Sequence, residues 1–97
     1  MKLLAIHKSD KPEKKYYAEL EKDTGRTKRI YFGQAGAPDF TKTKSEERKK
    51  LYIDRHQARE DWSKSGVETP GFWARHILWE YPSIVQSTKA VREKFNL

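Results

Sequence analysis

The chain has 97 residues, 35% hydrophobic and 36% charged, with 21 Lys and Arg against 14 Asp and Glu for a formal charge of +7. That length holds one domain and not two, and three Trp, five Tyr and four Phe must supply most of a single core, which argues against disorder. The lack of Cys excludes a disulfide framework and a thiolate metal site, and no stretch approaches the roughly 20 apolar residues of a membrane span.

In chain order, residues 2–7 are mostly apolar and read as a first strand, closed by a turn at Ser9-Asp10-Lys11-Pro12-Glu13. From Lys14 to Glu21, Tyr16, Ala18 and Leu20 alternate with Tyr17, Glu19 and Glu21, the strand period of two. Asp23-Thr24-Gly25 is a turn signal, and Thr27 to Phe32 completes a hairpin with Ile30 and Phe32 on one face and Arg29 and Tyr31 on the other. A loop, Gly33 to Phe40, carries two glycines and a proline. Thr43 and Glu46 form a capping box that predicts a long helix from Lys44 to Ser63, stopped by Ser65-Gly66. A short helix is expected over 71–80, ended by Pro82, and a last one is capped by Ser83 and Gln86, with Ile84, Thr88, Val91 and Phe95 facing inward. The expected fold is α+β, a single domain over 1–97. A three-stranded antiparallel meander (1–33) packs against the long helix, and two shorter helices complete a helical part over 43–97.

On a helical wheel of the long helix, Ala58, Leu51, Trp62, Arg55, Arg48, Arg59 and Tyr52 fall in one sector roughly 120° wide. Three guanidinium groups inside an apolar stripe need water, carboxylates, aromatic faces or phosphates beside them. Two readings stay open. The arginines stack on Trp62, Tyr52 and strand tyrosines or pair with Glu19, Glu21 or Glu80, pinning the helix to the sheet. Alternatively they open, with Tyr52, as a face for phosphates and bases. Lys42, Lys44, Lys49 and Lys50 join Lys22, Arg26, Lys28 and Arg29 in one basic surface if the packing brings them together, and are otherwise a solvated face.

The remaining candidates are weaker. His7, His56 and His76 read as hydrogen bonders at the edge of the core. Asp54 and His56 are two apart on a helix and do not face each other, and no paired-carboxylate or HExxH pattern occurs. A small metal-dependent nuclease using His56, His76 and Asp39 or Asp54 is therefore the second alternative. Gly33-x-x-Gly36 between strand and helix reads as a turn, with Asp39 bonding backbone. The aromatic segment Phe72 to Trp79 reads mainly as core packing against the long helix; Trp73 and Trp79 are six apart, on different faces, and the lesser reading leaves one of them exposed as a partner surface.

Tyr31-Phe32-Gly33, Gly36, Asp39-Phe40-Thr41, Glu47-Arg48-Lys49, Tyr52, Arg55-His56, Arg59-Glu60 and Trp62 are followed by Thr69-Pro70-Gly71-Phe72-Trp73 and Arg75-His76-Ile77-Leu78-Trp79. This run over 31–83 resembles a family of small uncharacterised proteins encoded by large DNA viruses of algae and protists and by some tailed phages. The resemblance implies a viral protein and brings no activity with it.

The positive surplus favours a polyanionic partner. The leading expectation is non-enzymatic binding of nucleic acid, DNA over RNA, through Lys28, Arg29, Lys42, Lys44, Arg48, Lys49, Tyr52, Arg55, Arg59 and Arg75. No catalytic residue, cofactor or metal is expected. A virion-associated protein-interaction module, binding a viral partner or itself through the Trp-rich segment, is the first alternative. With no signal peptide or membrane span legible, an intracellular or virion location is expected, not secretion or a membrane.

Overall fold

A computed structural model of the protein describes all 97 residues. The alternating stretches form three strands, β1 (Lys2–Lys8), β2 (Lys14–Glu21) and β3 (Thr27–Gln34). They pair as an antiparallel sheet in the order β1-β2-β3. Register follows side-chain parity: Ala18 opposes Ile30 and Tyr16 opposes Phe32, so one sheet face is apolar. An irregularity between Leu3 and Ala5 resets the parity of β1, and both Leu3 and Ile6 reach the core.

The helix expected from Lys44 to Ser63 is shortened at both ends, to Glu46–His56, and a separate one-turn helix precedes it. Asp39 caps α1 (Phe40–Thr43) by accepting from the Thr41 N–H, and Lys44 closes it in the left-handed region at φ 53°. The cap of α2 (Glu46–His56) is Ser45, which accepts from the Arg48 N–H at 3.2 Å, with Glu46 and Glu47 in the first turn. Thr43 cannot serve as that cap because its hydroxyl donates to the Asp39 carbonyl and accepts from the Ser45 N–H. At the other end the Arg59 and Glu60 N–H groups both bond the His56 carbonyl, and the chain turns out of the helix. Asp61 then holds a loop of its own by accepting from the Ser63 N–H and from the hydroxyls of Ser63 and Ser65. Those local bonds compete with a helical path, so Arg59 and Trp62 lie beyond α2 rather than on it.

Thr69 caps α3 (Pro70–Trp73), which has Pro in its first turn and runs on through a π-helical turn, Ala74–Leu78. The last helix, α4 (Ile84–Phe95), starts at the Ser83 cap and closes on Asn96 in the left-handed region. Its buried positions are Ser87 and Val91, with Ile84 and Phe95 packed at the margin.

Pro70–Leu78 lies against β3, and α4 packs on that segment and reaches β1, where Arg92 donates to the Leu3 and Leu4 carbonyls. This corrects the expectation that the long helix crosses the sheet. Phe72 and Trp73 are fully buried, and the Trp73 indole donates to the Val67 carbonyl at 2.7 Å. Trp79 is buried as well, so neither Trp73 nor Trp79 forms the exposed surface that their spacing suggested. The helix α2 is fastened differently: Tyr52 stacks on Trp79 with ring centres 4.5 Å apart and planes 7° from parallel. No helix is long and apolar enough to cross a membrane.

Candidate functional site

Between α2, the loop from β3 to α1, and the start of α3 runs an open groove of about 860 Å³. Its floor begins in the sheet. Gly33 has φ +81°, and a Cβ there would lie 2.9 Å from Leu78 Cδ1 and 3.2 Å from Lys15 Cβ. Glycine is required both for that backbone angle and for the close approach. Past it the Lys15 side chain reaches the loop, where its ammonium donates to the Ala37 carbonyl and pairs with Asp39 Oδ2 at 2.5 Å. Both side chains are nearly inaccessible, at 8% and 2%. The other Asp39 oxygen accepts from the Thr41 N–H and hydroxyl. A buried carboxylate with a cation and two further donors is well satisfied, so the geometry of Asp39 is that of a residue that fixes the loop.

The α2 wall is apolar at its base and cationic at its rim. Tyr52 is sandwiched between Trp79 and His56, the latter at 4.3 Å. Burial, reinforced by the nearby Glu60 carboxylate, pushes its phenol up to about 12, so it stays a neutral hydroxyl. Leu51, one residue earlier, is 52% exposed. Arg48 and Arg55 are seven residues apart and therefore two turns along one helix face. Both are exposed, both line the groove, and neither forms an ion pair. Glu60 closes the far end, with Oε1 3.9 Å from His56 Nδ1 and Oε2 lying where a Cβ on Gly71 would sit.

The ten residues expected to bind nucleic acid do not gather in one place. Arg48, Tyr52 and Arg55 meet in the groove. Lys42, Lys44 and Arg59 are exposed outside it and without an acidic partner. Two are structural: Lys49 donates to the Glu80 carbonyl at 2.8 Å, and Arg75 pairs with Glu80 at 2.7 Å and sits over the Trp62 ring. Lys28 shares Glu68 with Lys22, while Arg29 lies over Tyr17 and pairs with Asp10 on the outer sheet face. Of the two readings of the arginine stripe, internal pairing with Glu19, Glu21 or Glu80 is not what Arg48, Arg55 or Arg59 do.

The histidines are separated. His76 is buried and bonds the Trp62 carbonyl at 2.9 Å; burial lowers its pKa, which leaves it neutral near pH 7. His7 meets Glu19 at 3.2 Å on the outer sheet face. No three His, Asp or Glu side chains come close enough to share a metal ion. The site residues that sequence reasoning missed are Lys15, Gln34 and Glu60. Strand parity placed Lys15 on the solvent side, and only the glycine opposite hinted that its side chain crosses the strand.

No curated protein and no solved structure matches the chain. The uncharacterised family expected from the run over 31–83 is met by a match that lies further toward the N-terminus, taking in the three strands and α2 and stopping short of the Trp-rich segment. Residues 4–56 fit the model of a family of unknown function (DUF5754), a span of more than half of the 97 residues, and the chain belongs to that family.

Proposed function

We propose that the protein binds nucleic acid, with DNA as the first candidate, and performs no chemistry on it. One observation carries this reading: along residues 42–59, Lys42, Lys44, Arg48, Lys50, Arg55 and Arg59 are all exposed and none has a carboxylate within ion-pairing distance. Lys22, Lys28, Arg29 and Arg75 by contrast are paired with carboxylates, while Lys42 to Arg59 form the densest run of unpaired cations along one stretch of chain. Arg48 and Arg55 are held at a fixed spacing by the helix and backed by Leu51 and Tyr52, which suits a phosphate backbone whose bases or sugars touch an apolar wall. The resemblance to proteins of large DNA viruses makes viral DNA the natural polyanion, and an infected cell or a virion the place of action.

The test is fluorescence anisotropy with labelled DNA over a range of salt. Binding should weaken steeply as salt rises, with a log–log slope of about −0.9 per phosphate neutralised. An affinity that does not change with salt, or no binding at low salt, would sink the reading. Trp73 and Trp79 are buried, so a protein partner would meet other residues of the Trp-rich segment.

A further inference from the structure

We infer that the outer face of the sheet is a second contact surface, which stacks unpaired bases, so that the protein favours single-stranded over duplex nucleic acid. This rests on the nucleic-acid reading above and adds to it. Three rings cross the strands in one row. His7 is in register with Tyr17, and Tyr17 with Tyr31. Their centroids are 4.9 and 5.2 Å apart. The opposite face of the same strands supplies Ala18, Leu20, Ile30 and Phe32 to the core together with Phe72, Trp73 and Ile77, and none of the three rings belongs to that core. The row is therefore on the side away from the helices, and the His7 side chain is 42% exposed.

Charge says what the row suits. The Arg29 guanidinium lies 4.5 Å from the Tyr17 ring centre, and the Lys11 ammonium 4.1 Å from that of Tyr31. Both residues are exposed, and Lys11 has no acidic partner. The acids nearest the rings are engaged, since Asp10 accepts from the Tyr31 hydroxyl at 2.7 Å and pairs with Arg29 and Glu19 meets His7, while the unpaired Glu21 lies at the far end of β2. An apolar protein partner would have to bury Lys11 and Arg29. A polynucleotide offers both complements at once, with bases for the rings and phosphates for the cations. A base stacks on an aromatic ring more strongly than an exposed cation sits over it, so the long Lys11 and Arg29 side chains swing from ring to phosphate as a base arrives. A duplex cannot make this contact, because its bases are already stacked and paired.

The experiment compares an oligothymidylate of about 12 nucleotides with a duplex hairpin of equal charge, by anisotropy. The proteins are the wild type, Tyr17→Phe/Tyr31→Phe and Tyr17→Leu/Tyr31→Leu, with circular dichroism melts of each. The wild type and the Phe variant should favour the single strand by about tenfold, and the Leu variant should lose that preference while keeping duplex affinity. Because the Leu variant can fail to fold, wild-type protein is also irradiated with a bromouracil-substituted oligonucleotide. Cross-linked peptides should contain Tyr17 or Tyr31. Equal affinity for strand and duplex, or cross-links confined to residues 42–59, overturns the proposal and leaves nucleic-acid binding intact. Binding to neither probe removes both. Self-association that the Leu substitutions abolish, with no preference for single strands, assigns the face to a second copy instead and also overturns it.

Discussion

The sheet half and the α1–α2 half carry positive charge in different ways. In the sheet and its loops several cations come with acids, Lys15 with Asp39, Lys22 and Lys28 with Glu68, Arg29 with Asp10, beside the unpaired Lys2, Lys8, Lys11 and Arg26. Along α1 and α2 they do not, and Lys42, Lys44, Arg48, Lys50, Arg55 and Arg59 face solvent without a carboxylate. Net charge alone does not locate a polyanion site. What matters is which cations the fold has already used. The lysine deepest in the protein, Lys15, is the one least available to a ligand, although only the glycine across the sheet distinguishes it from Lys14.

The largest effect should come from breaking the innermost pair. Lys15→Met leaves Asp39 buried without its cation and should cost about 3–5 kcal/mol of stability, read by denaturant unfolding; a loss typical of a surface pair would mean that water reaches the loop. Next, Arg48→Ala/Arg55→Ala should lower DNA affinity about tenfold or more and flatten the salt slope by about two, with the melting temperature unchanged. If the slope stays as it was, phosphates do not sit on α2.

A third test sets the acid response of the two halves apart. His76 has a pKa of 6.5 when unfolded and a lower one in the folded core, where desolvation dominates. Between those values the unfolded chain binds more protons, so stability falls as pH drops below 6.5 and the fall levels off below the folded pKa. On the outer face the Tyr31 hydroxyl, the Arg29 guanidinium and Lys11 hold the Asp10 carboxyl below its usual range, so those contacts persist further into acid. His76→Gln should remove the first acid-induced loss in a series of melts, and an unaltered pH profile would put the sensitive group elsewhere. The smallest effect belongs to Lys28→Ala. Glu68 keeps Lys22, the pair is at the surface, and neither melting temperature nor DNA affinity should move measurably.

The sheet was legible because strand parity is local: Tyr16, Ala18, Leu20, Ile30 and Phe32 announce their face by spacing alone. The cap at Ser83 and the backbone bond of Asp39 were legible for the same reason, since a side chain answers a backbone group two or three residues on, although the helical turn that Asp39 caps was not. The long helix was misjudged at both ends by competition between local bonds. The Thr43 hydroxyl serves the turn before it, and Asp61 with Ser63 and Ser65 builds a loop where periodicity still read helix. Helical phase nevertheless placed Arg48, Tyr52 and Arg55 on one face, because a stripe survives the loss of a helix end. Contacts over long sequence distance were not legible. The pairing of Lys15 with Asp39 spans 24 residues and passes over a glycine, and the aromatic row needs two strand registers to be known together.

Gly33 ties these pieces to one another. Because Lys15 must pass that residue to reach Asp39, the loop beside the arginine rim is set only when β2 and β3 are correctly aligned. A slip by one residue would offer Lys14 or Tyr16 in its place and flip the row of rings into the core. Assembly of the hairpin is thus the common gate for both surfaces, and a single alignment error would silence the two together.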